Sequence, residues 1–264
     1  MNTKIFNLLL KNLENSFNLP KYKDLCFDQT IVIEKLPWTP VKRKKFEDCI
    51  MEELEFHRLD LSGSLLQITE RLDKLYTGRF FSSVWRPSTD SHKFTGWDIV
   101  KYVNEKNPSR VLDYGCGYNQ FKDKIQGLIG IDPYNDHADY MVDIFEFVDE
   151  PESFDAILVL GSLNFNSQDE LEIRMKKLVN FLKPGGYMYF RANPGIQWPD
   201  GKYVDIFPWS FEFVVKMAKD NDLAVESFKK DTGKNGERYF FVYKKFCTDC
   251  LESNLYTGHY NFRH

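Results

Sequence analysis

The chain of 264 residues is 42% hydrophobic and 28% charged, long enough to bury a sizeable core and too apolar for a disordered or collagen-like chain. Its formal charge is −4, and no apolar run approaches bilayer length, which argues against a bundle of membrane spans. Residues 1–94 hold 15 basic and 13 acidic side chains and residues 95–264 hold 20 and 26, so a dedicated duplex-binding protein is not expected.

At the start of the chain, the apolar run from Ile5 to Leu10 is interrupted by Asn7 and followed by Lys11, Asn12 and Glu14. That is too short for the apolar core of a secretory leader, so a cytoplasmic protein is expected. Five cysteines in a chain of this length read as reduced thiols. Residues 1–78 read as mostly helical, broken around Pro37 and Pro40. From Phe46 onward, apolar residues recur at Ile50, Leu54, Leu61, Leu65, Ile68, Leu72 and Leu75, mostly at helical steps. The basic run Lys42-Arg43-Lys44-Lys45 reads as a solvated helix start.

Residues 95–245 alternate short apolar runs with helical segments. Strands are predicted at 110–114, 128–132, 139–142, 154–160, 186–192, 224–228 and 238–243, and helices at 95–105, 168–182 and 208–221. Such alternation implies right-handed crossovers and a largely parallel, doubly covered sheet. A short turn around Gly233 and Gly236 makes the last two strands an antiparallel hairpin. The predicted fold is therefore α/β, with a mostly parallel seven-stranded sheet ending in that hairpin. The expected division is a helical extension and lid segment at 1–94, the α/β domain at 95–245 and a tail at 246–264.

Three strand ends carry acids. The first strand ends in Asp113, followed by Gly115 and Gly117, where the chain can turn sharply and a ligand can approach the backbone. The second ends in Asp132, placed to accept from ribose hydroxyls, or else a turn aspartate before Pro133. The third ends in Asp143, with Ile144 behind it; an adenine contact and a local capping role are both open.

These segments together resemble the class I S-adenosylmethionine-dependent methyltransferases, a Rossmann-like family. The resemblance rests on Val111-Leu112-Asp113-Tyr114-Gly115-Cys116-Gly117, Gly130-Ile131-Asp132, Asp143, the stretch from Phe154 to Val159, and Leu182-Lys183-Pro184-Gly185-Gly186-Tyr187. It implies S-adenosylmethionine as cofactor, with Gly115 to Gly117 beneath its methionine part and Asp113 near the ammonium. Asp132 would hold the ribose, Asp143 and Ile144 would meet the adenine, and Gly161 would face the sulfonium. The sequence departs from the family at Asn119, where a third glycine is frequent; asparagine tolerates the left-handed backbone that such a turn needs. The chain is also similar to uncharacterised phage-encoded proteins, which would place a viral member in the host cytoplasm.

Ser162 and Asn164 are the candidate catalytic residues, and Trp85, Arg86, Arg191, Asn193 and Trp198 the candidate acceptor-binding ones. Arg191 suits an anionic group or a loop-anchoring ion pair. A small-molecule or protein acceptor is expected rather than nucleic acid. Two alternatives remain open: a cofactor-binding or virion-associated protein without turnover, and an NAD-dependent oxidoreductase. The dinucleotide fingerprint of the latter wants glycine at 120, where the chain has Gln120. In the tail, Cys247, Cys250, His259 and His264 have zinc-ligand character, but the gap between the pairs is shorter than the usual finger spacing of about twelve. No metal is expected.

Overall fold

The computed structural model describes residues 40–41, 78, 81, 85–87, 89–195, 206–233 and 236–247. The chain divides into two compact units, one of Met1–Arg86 with Trp198–Asp205 and the other of Pro87–Gln197 with Ile206–His264. The second carries the sheet and is the subject below. The expectations for helices before residue 78, for Trp198, and for Cys250, His259 and His264 lie outside the described residues.

Six strands run β1 Val111–Tyr114, β2 Leu128–Ile131, β3 Phe154–Leu160, β4 Leu182–Ala192, β5 Leu223–Gly233 and β6 Gly236–Lys245. Among the described residues of this unit three α-helices accompany them: α1 Asp98–Asn104 before β1, α2 Gln168–Phe181 and α3 Phe211–Asp220. The strand order is β2-β1-β3-β4-β6-β5. β2, β1, β3 and β4 are parallel, and β6 is antiparallel to both β4 and β5. The chain leaves β1 toward β2 and later returns on the other side at β3. That reversal opens a crevice beyond the strand carboxyl ends.

Apolar content explains the layers. β1 is buried throughout and β3 nearly so, as strands covered on both faces must be. α2 begins with a reciprocal capping box, in which Glu170 N–H donates to Ser167 Oγ and Ser167 N–H to Glu170 Oε2. It buries Leu171, Met175, Leu178 and Phe181, spaced at helical steps. α3 starts at Ser210, whose hydroxyl accepts from Phe213 N–H at 3.1 Å, and it buries Val214, Met217 and Ala218. One core lies under α2 and α3, where Phe190, Trp209, Phe241 and Tyr243 pack. The other lies under α1, around Val111, Leu158, Tyr189 and Phe240.

The predicted strand at 139–142 does not form, so the sheet has six strands instead of seven. Tyr140 makes only an isolated parallel bridge to Ile131. The reason lies in a side chain that takes a backbone donor of β2. Asp139 Oδ2 accepts Gly130 N–H at 2.8 Å, so no strand carbonyl reaches it, and pairing stops at Tyr140, whose N–H donates to Gly130 O and whose O accepts Asp132 N–H. Lys122 Nζ then covers Leu128 O at 2.6 Å and pairs with Asp139. These charges blunt an edge that would otherwise invite pairing. Among the described residues no helix is long and apolar enough to cross a membrane.

Candidate functional site

β1 delivers Asp113 to the crevice, and the chain then turns through Gly115 at φ 70° and Gly117 at φ 54°. A Cβ on Gly115 would lie 2.4 Å from Ser162 Cβ, so glycine is what lets this turn pack against the turn after β3. Gly117 N–H donates to Asp132 Oδ2 at 3.0 Å, which ties the glycine turn to the end of β2. Asn119 adopts φ 51°, the left-handed conformation that asparagine tolerates. Its Nδ2 donates to His137 O at 3.1 Å, and with Cys116 it fills the space over Gly130. Cys116 is buried and its thiol is pushed up by burial and nearby carboxylates, which fits packing rather than nucleophilic work.

Two carboxylates dominate the electrostatics. Asp113 is 3% exposed and makes no hydrogen bond or ion pair among the described residues. Burial pushes its carboxyl up to about 7; Asp132 adds to the rise and Arg191 opposes it. Asp132 is also raised by burial, against the N–H groups of Tyr134, Gly117 and Asn135 that stabilise its charged form.

Gly161, φ 112°, follows β3 and leads into a short 3-10 turn Ser162–Phe165. Ser162 Oγ is buried with no hydrogen-bond partner among the described residues. Asn164 is buried and faces Asn193: its Nδ2 donates to Asn193 Oδ1 and its Oδ1 accepts Asn193 N–H, both at 3.2 Å. Asn164 O also accepts Phe207 N–H at 2.6 Å, so the residue clamps the segments after β3 and β4 together. Arg191 on β4 donates from Nη2 to Leu160 O at 2.5 Å, beside Gly161.

Asp113, Gly115, Gly117, Asp132, Gly161, Ser162 and Arg191 thus share the crevice, and Asn164 and Asn193 pair beside it. Asp143 lies off this cluster. Its two oxygens accept Arg174 Nη1 at 2.9 and 2.7 Å, and Oδ1 accepts Phe145 N–H at 3.1 Å. Ile144 is fully buried in the core beneath α2. Trp85 is half-buried and Arg86 exposed at the end of the first unit, where Arg86 Nη1 donates to Trp85 O at 2.7 Å.

Two further residues, Arg174 and Asp231, were not singled out from the sequence. Arg174 also donates to Tyr114 OH at 3.1 Å, linking β1 to Asp143. It falls within the apolar stripe of α2 between Leu171 and Met175, and a charge in that stripe was the available sign. Asp231 is 2% exposed on β5 and accepts Lys93 N–H, Thr95 N–H and Thr95 Oγ1. Gln120 Nε2 donates to Thr89 Oγ1, so that position serves the segment before α1.

No protein-family profile and no curated protein matches the sequence. Among solved structures, the chain is similar to the 1,6-didemethyltoxoflavin-N1-methyltransferase of Burkholderia thailandensis, crystallised with 1,6-didemethyltoxoflavin and S-adenosylhomocysteine. The TM-score is 0.52 at 12% identity, over 72% of this chain and 93% of that one. It also matches the N-methyltransferase NodS of Bradyrhizobium japonicum at TM-score 0.45 and 18% identity, over 56% of this chain and 84% of that one. With the [4+2]-cyclase SpnF the TM-score is 0.48 at 13% identity, over 69% and 96%. The first of these likenesses, together with the strand order, shows the architecture: the chain has the Rossmann-like α/β fold found in class I S-adenosylmethionine-dependent methyltransferases.

Proposed function

We propose that residues 95–245 form a methyltransferase domain that binds S-adenosylmethionine and methylates a small molecule or a protein side chain. The observation that carries this reading is the pair of buried carboxylates, Asp113 and Asp132, gathered around a glycine turn whose Gly117 N–H grips one of them. A pair of buried carboxylates in a crevice suits a ligand bearing positive charge. The residues fit the cofactor: among the described residues Asp113 has no hydrogen-bond or ion-pair partner and could take an ammonium group, and the close packing of Gly115 on Ser162 holds together the two turns that flank the crevice.

When bound, S-adenosylmethionine supplies a methyl group already activated on a sulfonium. The chain's own work is holding and aligning. Asp113 takes the ammonium, and the lone pairs of Asp132 not used by Gly117 and Tyr134 accept from the ribose hydroxyls. Asp143, with one edge on Arg174, and the Ile144 N–H meet the adenine. Ser162 Oγ, buried with no hydrogen-bond partner among the described residues, would hydrogen-bond the acceptor and help to orient it. Asn164, held by Asn193 at both ends, shapes the pocket without needing to touch the acceptor. The excess of acidic residues after 94 supports an acceptor other than nucleic acid.

Calorimetry with S-adenosylhomocysteine tests the binding claim, and release of that compound from S-adenosylmethionine in the presence of fractionated cell extract tests turnover. Binding without release in any fraction would leave a cofactor-binding protein. Binding of NAD with neither adenosyl compound bound would replace the reading by an oxidoreductase.

A further inference from the structure

We propose that Arg191 forms a carboxylate-binding subsite at the end of β4, across β3 from Asp113 of β1. The inference rests on the reading above and adds a second charge to it. Leu160 O is the single hydrogen-bond partner of the Arg191 guanidinium among the described residues, which leaves its other N–H groups available. Gly161 is what keeps that surface open: a Cβ there would sit 3.4 Å from Nη2 and 3.6 Å from Nε, and φ of 112° disfavours any residue that carries one. Next along the chain, Ser162 Oγ is buried without a partner and offers a second donor.

The electrostatics agree with the geometry. Arg191 is lowered to about 10, first by burial and then by Arg238, with Asp113 and Asp231 opposing. A partly buried cation beside another cation gains most from an anion that it can bind directly. An acid on β1 and a guanidinium on β4, with β3 between them and each within electrostatic reach of the other, match the two charges of an α-amino acid, the ammonium toward Asp113 and the carboxylate toward Arg191. The same carboxylate chemistry can come from the amino-acid end of the cofactor or from the acceptor.

The test uses the full chain as wild type, Arg191→Lys and Arg191→Gln. S-adenosylhomocysteine and 5′-methylthioadenosine, which lacks the amino-acid end, are titrated by calorimetry, and acetate is titrated into the nucleoside-loaded protein. If the cofactor supplies the carboxylate, Arg191→Gln weakens S-adenosylhomocysteine by about tenfold or more and leaves methylthioadenosine unchanged, with Arg191→Lys between. If the acceptor supplies it, both nucleosides bind as before, and acetate binding, present in wild type, is lost in Arg191→Gln. Unchanged affinity for S-adenosylhomocysteine and acetate alike would overturn the proposal. So would equal weakening of the two nucleosides, since the side chain would then serve only the fold. If wild type bound neither nucleoside, the methyltransferase reading would fall by itself. Acetate titrated into the free protein would then decide the subsite, supporting it if bound by wild type and not by Arg191→Gln, and refuting it otherwise.

Discussion

Gly117 N–H reaches Asp132 Oδ2 at 3.0 Å, so the glycine turn after β1 and the acid ending β2 form one unit. The other oxygen of Asp132 accepts Tyr134 N–H, and the side chain therefore holds two loops at once. Asp132→Ala strands the Gly117 and Tyr134 N–H donors and removes the support of Asn135 N–H, and is expected to cost about 1–3 kcal/mol in urea unfolding. Asp132→Asn keeps an acceptor and is expected to lose less stability, while still weakening ribose binding.

Gly115 and Ser162 are expected to behave as a coupled pair. Gly115→Ala places a methyl 2.4 Å from Ser162 Cβ and also forces alanine to φ 70°, the latter alone worth about 1–2 kcal/mol. Ser162→Gly removes the opposing atom. In a double-mutant cycle, Gly115→Ala is expected to be less destabilising when Ser162→Gly is present. Strict additivity would show that the two turns do not touch.

The charge state of Asp113 should be visible as a pH dependence of stability. Its carboxyl rises from 3.8 to about 7 in the folded protein, so between those values the native state binds more protons than the unfolded chain. The contribution is present below pH 3.8 and is lost as pH climbs through about 7. Asp113→Asn is expected to remove this fall, read as the difference between wild-type and variant denaturant midpoints across that window. A ligand that brings an ammonium beside Asp113 favours its charged form, so binding near pH 6 should release protons in wild type and not in the variant. Calorimetry in buffers of different ionisation enthalpy measures this.

A second carboxylate runs the other way. Asp155 Oδ2 accepts from Ser109 N–H, Ser109 Oγ and Arg110 N–H, and its Oδ1 lies 2.6 Å from Lys183 Nζ. Despite the cost of burial, these partners hold its carboxyl well below the usual range, so its contribution is present above pH 3.8 and lost on acidification below that value. Asp155→Ala is expected to cost about 1–3 kcal/mol at neutral pH because it strands the Ser109 and Arg110 donors. Lys183→Met, which removes only a half-exposed partner, is expected to cost under about 1 kcal/mol.

Much of this architecture is legible in the residues. Uninterrupted apolar runs mark β1 and β3 because strands buried on both faces need them. Acids that end such runs point to the crevice without any knowledge of the neighbours, as Asp113 and Asp132 do. The ion pair between Asp155 and Lys183 joins two segments that read as separate motifs in the chain. What escaped depends on partners distant in sequence. The strand at 139–142 has the right pattern and fails because the Asp139 side chain takes the Gly130 N–H that such a strand would need. Arg174 is an ordinary helix residue until Asp143 and Tyr114 arrive from elsewhere. Asn164 looks like a free amide after β3, and its commitment to Asn193 exists only once β4 is alongside.

Calorimetric titration of S-adenosylhomocysteine into the full chain, wild type and Asp132→Ala together, bears most directly on the crevice between β1 and β3. One site per chain is expected in wild type, weakened about tenfold or more in a variant whose melting still reports a folded protein. No binding of S-adenosylhomocysteine or S-adenosylmethionine at millimolar concentration, or binding that Asp132→Ala leaves untouched, would contradict it.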